Sequence, residues 1–142
     1  AGSSTHWVAP INTKETIDSV LALKTWAVVG LGNNPERAAF GVSKLLQDKG
    51  HKIIPVYPRA EVVHGEVGYK TLSEIPEQVD VVDCFVNSKL VGKVVDEAIA
   101  IGAKAVWLQL DVIDHEAIAR AQAAGLLTVM DRCPAIEYRA RA

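Results

Sequence analysis

Between Thr25 and Met130, five short runs rich in Val and Ile alternate with stretches of helical period, and no other feature limits the fold as tightly. The runs are Trp26–Gly30, Lys52–Val56, Val79–Val86, Ala105–Leu108 and Leu126–Met130. They are apolar on consecutive residues rather than alternate ones, as strands buried on both faces must be. Strand–helix–strand repetition with short links demands a parallel sheet with right-handed crossovers. The expectation is an α/β fold: a single Rossmann-like, doubly wound domain with a five-stranded, mostly parallel sheet and helices on both faces.

The intervening stretches place apolar residues on shared faces. These are Phe40, Leu45 and Leu46 in residues 37–49; Val91, Val94, Val95, Ala98 and Ile101 in 88–101; and Ile118 and Ala121 in 114–124. Each stretch runs into a glycine (Gly50, Gly102, Gly125), a common helix stop. Asn87, Ser88 and Asp114 are candidate N-caps. Residues 1–24 read as a tail plus a helix over 13–23 packing on the domain, and residues 25–142 as the domain itself. With 142 residues and 49% apolar content, one core is the expectation. Residues 59–69, with Gly65, Gly68 and several charges, read as a surface excursion.

Charge and cysteine content exclude several classes. Fifteen Lys and Arg stand against seventeen Asp and Glu, so there is no basic excess for a nucleic-acid partner. Cys84 and Cys133 are too few and too far apart for a disulfide framework or a zinc ribbon. No apolar run approaches the ~20 residues that span a bilayer. The expectation is a cytoplasmic protein with reduced thiols, no metal, no membrane contact and a small nucleotide-like ligand. Protein partners stay open.

Ligands of such sheets bind beyond the carboxyl ends of the strands, where strand order reverses. The first turn, Gly30-Leu31-Gly32-Asn33-Asn34-Pro35-Glu36-Arg37, is GxGxxP rather than GxGxxG. Gly30 permits a tight turn, Gly32 permits close approach, and the following helix offers free N–H groups to phosphate. The second strand ends Tyr57-Pro58-Arg59, without the carboxylate that binds the ribose of NAD. Arg59 suits a phosphorylated ribose, as in NADP or coenzyme A (CoA). Phe85 could flank an adenine, Asn87 could cap a helix or bind ligand, and Gln109 is polar where a strand meets that edge. Cys133 reads as an inert thiol or, more sharply, as a partner for the CoA thiol, with Arg132 beside it to lower its pKa. Asp131, Arg132 and Glu137 read as a salt-bridge and cap cluster.

The pieces VGLGNNPERAAFGVSKLL, GHKIIPVYPRAE, VDVVDCFVNS, EAIAIGAKAVWLQL and AAGLLTVMDRCPAIEY, in that order, resemble the small bacterial CoA-binding proteins. Those are similar to the CoA-binding domain of the succinyl-CoA synthetase α subunit. The resemblance runs from about Thr25 to Arg139. It implies that Gly30, Leu31, Gly32, Asn33, Asn34 and Arg37 hold phosphate groups. Tyr57, Pro58 and Arg59 would take the adenosine and its 3′-phosphate. Phe85, Val86 and Asn87 would line the adenine or pantetheine path, and Gln109 and Leu110 would lie by the pantetheine arm. Relatives often carry Arg at the position of Val86 and Gly at that of Asp111. Loss of that Arg weakens a charge-assisted phosphate bond by ~1.5–3 kcal/mol.

The implied function is binding of CoA or acyl-CoA without catalysis. The synthetase histidine lies in a second domain, and His6, His51, His64 and His115 read as tail or surface residues. Two alternatives stand beside it: an NAD(P)-dependent oxidoreductase or nucleotide sensor, and a regulatory module with an empty crevice.

Overall fold

The structure, a computed structural model, describes residues 10–142. His6 and Trp7 lie outside the described residues. Helix α1 (Lys14–Leu21) leads into β1 (Thr25–Val29), α2 (Ala38–Asp48) and β2 (Lys52–Val56). A 3-10 turn at Leu72–Glu74 precedes β3 (Val81–Cys84), α3 (Ser88–Ala100), β4 (Ala105–Leu108), α4 (His115–Ala123), β5 (Leu127–Val129) and α5 (Pro134–Ala140). The strands form one sheet in the order β2-β1-β3-β4-β5, and every pairing is parallel. The expected α/β, Rossmann-like single domain is what forms.

Consecutive residues of each strand face opposite layers. Trp26, Val28, Ile53, Val81, Trp107 and Val129 meet Ile17, Val20 and Leu21 of α1, Val42 and Leu46 of α2, and Ala135 of α5. Ala27, Ile54, Val82, Cys84, Val106 and Leu108 meet Val91, Val95 and Ala98 of α3 and Ala117, Ile118 and Ala121 of α4. Burial on both faces explains why the strands read as unbroken apolar runs. Because β1 lies between β2 and β3, the chain winds one way through α2 and the other way through α3 and α4. The crevice of the fold opens between β1 and β3.

The helix boundaries follow the local signals. Asn87 accepts from the N–H groups of Lys89 and Leu90, and Asp114 from that of Ala117. Helix α5 was not anticipated; Pro134 at its first turn is its start signal. The 59–69 excursion is more anchored than expected: Val63 is fully buried, and Tyr69 exchanges hydrogen bonds with the end of β2. The cluster foreseen for Asp131, Arg132 and Glu137 does not form. Glu137 pairs with Arg141, and Arg132 donates to the Asp131 carbonyl.

His51 corrects the surface reading of the histidines. It is buried against Trp26, its Nδ1 lies 2.8 Å from the Leu23 carbonyl, and its Nε2 meets the Tyr138 hydroxyl. Burial holds its pKa below the ordinary 6.5, against the raising effect of the Leu23 carbonyl. The folded state therefore takes up a proton less readily than the unfolded one. Its stabilising contribution is complete above pH 6.5 and is lost as pH falls below it. A His51→Gln variant should lack that acid-side loss when thermal melts are compared at successive pH values.

Asp83, in the middle of β3, stands between Val28 and Trp107 by register. It is fully buried, and neither carboxylate oxygen has a partner among the described residues. Burial pushes its pKa well above the usual carboxylate range. The unfolded chain ionises first, so Asp83 costs stability progressively as pH rises from about 4 toward its folded pKa. Asp83→Asn should raise the melting temperature near pH 7 by roughly 3 °C or more. The gain should fade toward pH 4, as scanning calorimetry would show.

Candidate functional site

Parallel register sets the strand ends level. Val29 pairs with Val56 and with Cys84, and Cys84 pairs with Leu108. The next residues, Gly30, Tyr57, Phe85 and Gln109, therefore share one edge. Three cavities open there, and all have Gly30 and Arg37 in their walls. The first, ≈370 Å³, is polar and adds Gly32, Asn33, Asn34, Pro35, Tyr57, Arg59 and Glu61. The second, ≈300 Å³, is lined by Ala38, Ala39, Val42, Phe85, Val86, Gln109, Leu110, Val112 and Cys133. The third, ≈480 Å³, adds Tyr57, Pro58, Lys70, Phe85, Val86, Asn87 and Leu90. Every candidate site residue except Leu31 thus lines this connected edge. The Leu31 side chain is fully buried in the core beneath α2, leaving only its main chain to the loop.

Gly30 is held at the crossing. Its N–H donates to the Val56 carbonyl at 2.8 Å, its φ is +99°, and a Cβ there would come within 2.4 Å of the Phe85 carbonyl oxygen. Gly32 has a different reason to be small. A Cβ there would meet Glu61 Oε1 at 2.9 Å and the Tyr57 ring at 3.3 Å. Glu61 reaches back over the loop and accepts the Asn33 N–H at 2.8 Å, while Asn33 Nδ2 donates to the Val62 carbonyl. The approaching group at Gly32 is thus a carboxylate of this chain, resting on a donor that suits an anion. The N–H groups of Gly32 and Asn34 have no acceptor among the described residues.

Cations outnumber carboxylates in these walls and the adjoining mouth, with Arg37, Arg59, Lys70 and Lys93 against Glu61 and Glu97. Arg37 and Arg59 form no ion pair among the described residues, and neither do Lys70 and Lys93, which line the mouth beyond Val86. The second cavity is mostly apolar, with the buried Gln109 in its wall; the Oε1 of Gln109 is sealed from solvent and has no partner among the described residues. Asn87 spends its side-chain oxygen on capping α3. Asp111 has φ +66°, in the left-handed region that favours glycine. Its N–H donates to Asp131, and it lines none of these cavities.

Glu61, Lys70 and Lys93 were missed as site residues. Glu61 lies in the irregular excursion and Lys70 directly after it, where no period reports direction. Lys93 sits on α3 as an ordinary solvated lysine would. Among the described residues no helix is long and apolar enough to cross a membrane, and no cluster of His, Cys, Asp and Glu could hold a metal ion.

The CoA binding domain family matches residues 24–139, nearly the whole described chain. The chain belongs to this family. As a CoA binding domain it is 34% identical, over 110 residues, to the uncharacterized protein YneT of Bacillus subtilis, covering 78% of this chain and 82% of that one. Over 81 residues it is 37% identical to the α subunit of an ADP-forming acetate–CoA ligase II from Pyrococcus furiosus. That match spans 56% of this chain and 18% of the subunit, so the domain corresponds to one part of a larger protein. A solved hypothetical protein from Pyrococcus horikoshii superposes with a TM-score of 0.85 at 40% identity, covering 90% of this chain and 91% of that one. The expected kinship to the CoA-binding domains of acyl-CoA synthetases is borne out.

The two environments of glycine predict opposite substitutions. Gly30→Ala should destabilise the domain by at least about 2 kcal/mol, through φ and the Phe85 clash. Gly41→Ala, on the open face of α2 with nothing within 4 Å, should stabilise it. The expected gain in urea denaturation is about 0.5–1 kcal/mol.

Proposed function

We propose that this domain binds CoA or an acyl-CoA at the carboxyl edge of its sheet and performs no bond-making chemistry alone. One observation carries the reading. Neighbouring cavities that share Gly30 and Arg37 run from a polar loop lined by two guanidinium groups to a mostly apolar pocket. CoA has the same polarity gradient, with a phosphorylated nucleotide at one end and a slender, mostly apolar arm bearing two amides at the other. Arg37 and the free N–H groups of Gly32 and Asn34 would take the diphosphate. Arg59 would fork onto the 3′-phosphate, beside Tyr57 and Pro58. Phe85, Val86 and Asn87 would border the path across the sheet, and Gln109 and Leu110 would lie beside the arm.

Entry of a phosphate requires Glu61 to yield the Asn33 N–H. That contact lies at an exposed position and is worth at most ~1.5–3 kcal/mol as a charge-assisted hydrogen bond. A dianionic phosphate near two unpaired guanidinium groups can offset such a loss. Val86 brings no charge to the path, but Lys70 and Lys93 supply cations nearby. The lining fits binding rather than chemistry: among the described residues no histidine borders the three cavities.

Glu61 favours a second reading. A carboxylate folded back onto the first loop resembles the ribose-binding acid of a dinucleotide site. Titration calorimetry separates the two. CoA should bind with one-to-one stoichiometry while NAD gives no heat; NADP or NAD binding with CoA silent would overturn the proposal. Arg59→Ala should weaken CoA about tenfold or more yet leave 3′-dephospho-CoA unaffected, whereas Arg37→Ala should weaken both.

A further inference from the structure

One side chain of the polar cavity behaves as a ligand would. Glu61 shares the wall of that ≈370 Å³ space with Arg37 and Arg59, yet it pairs with neither guanidinium. Its Oε1 instead accepts the main-chain N–H of Asn33 at 2.8 Å, and lies 2.9 Å from where a Cβ on Gly32 would stand. Main-chain donors of a loop leading into a helix are the groups that suit a phosphate oxygen. The carboxylate therefore occupies the seat of an anion.

The main chain around Glu61 is built to place it there. Ala60, directly before it, has φ +50°, a left-handed turn that a non-glycine residue holds only where its surroundings impose it. Gly68 passes so close that a Cβ there would lie 2.1 Å from the Glu61 carbonyl oxygen. Asn33 Nδ2 donates to the Val62 carbonyl, and Val63 is fully buried. His64 Nε2 lies 2.8 Å from the Phe40 carbonyl, and Gln47 donates to the His64 carbonyl at 3.0 Å. Residues 60–64 are thus strapped to the first loop and to α2. With its main chain tied down, Glu61 leaves Asn33 by rotating its side chain, and finds the same seat again when a ligand departs.

We propose that Glu61 is an internal competitor for the diphosphate seat, which keeps single small anions out and admits only a ligand that is held at further points. The identity of that ligand rests on the CoA reading above, whereas the competition does not. A ligand that must displace the carboxylate loses affinity in proportion to the fraction of molecules whose seat is open. The factor is the same for every anion that uses the Asn33 N–H, so it sets a threshold and not a preference. Pyrophosphate, held by the loop and Arg37 alone, falls below that threshold. CoA, held also by Arg59 and along its arm, clears it.

The test is titration calorimetry of the full chain and of its Glu61→Gln and Glu61→Ala variants, with pyrophosphate and with reduced CoA. Pyrophosphate should bind Glu61→Ala at least about tenfold more tightly than it binds the parent. Glu61→Gln should gain less, because a neutral amide oxygen still accepts the N–H, though more weakly. CoA should gain by the same factors, and its advantage over 3′-dephospho-CoA should stay as it is in the parent. Weaker binding of CoA or pyrophosphate to both variants would overturn the competition and make Glu61 a contact of the ligand. CoA binding alike to all three chains would overturn the competition while leaving the CoA reading standing. A gain for pyrophosphate with CoA silent throughout would overturn the CoA reading and leave the competition standing. Silence of both ligands in all three chains would overturn both.

Discussion

Gly30 is pinned between the ends of two strands, and the crevice exists because of it. Its N–H is tied to the last carbonyl of β2, while the Phe85 carbonyl beyond β3 occupies the space a side chain would need. The chain leaving β1 must pass through this gap, because β1 has β2 on one side and β3 on the other. The crossover through α2 then covers one face of the sheet, and those through α3 and α4 cover the other. Opposed winding parts the loops above Gly30, and all three cavities have this residue in their walls.

Charge is distributed around that gap in two contrasting ways. Asp83, two residues before Phe85, is sealed in the sheet with no partner among the described residues, and burial pushes its pKa well above the usual carboxylate range at a cost in stability. A few residues away, at the rim, Arg37, Arg59, Lys70 and Lys93 stand exposed and form no ion pair among the described residues. Unpaired surface cations cost little in water, so their presence places no strain on the fold. Glu61 is the counterweight: it rests a negative charge on the loop donor at Asn33 through a contact weak enough to exchange. The loop is thereby shaped for an anion while its own chain supplies one.

Much of this architecture was readable beforehand. Consecutive apolar residues in each run announced strands buried on both faces, and the glycines at 50, 102 and 125 and the caps at Asn87 and Asp114 marked the helices. Gly30, Arg37, Tyr57, Phe85 and Gln109 were recognisable because each follows a strand or opens a helix at the ligand edge. Other features were not legible. Leu31 sits inside a loop that reads as ligand-facing, yet its side chain turns into the core under α2. His51 follows a helix-ending glycine like a surface residue, yet Tyr138, 87 positions away, closes over it. Helix α5 has only seven residues, too few for its period to emerge.

The order of apolar and polar residues along the chain determined the α/β class, the parallel sheet and the edge at which a ligand must bind. These follow from local period and from the burial that each period demands. Only the tertiary structure decided which way Leu31 turns, where Glu61 rests and which wall Cys133 shares with Gln109. Those contacts join residues from separate crossovers. Their geometry depends on strand register and on the path of an irregular loop, and neither is encoded in the spacing of neighbouring residues.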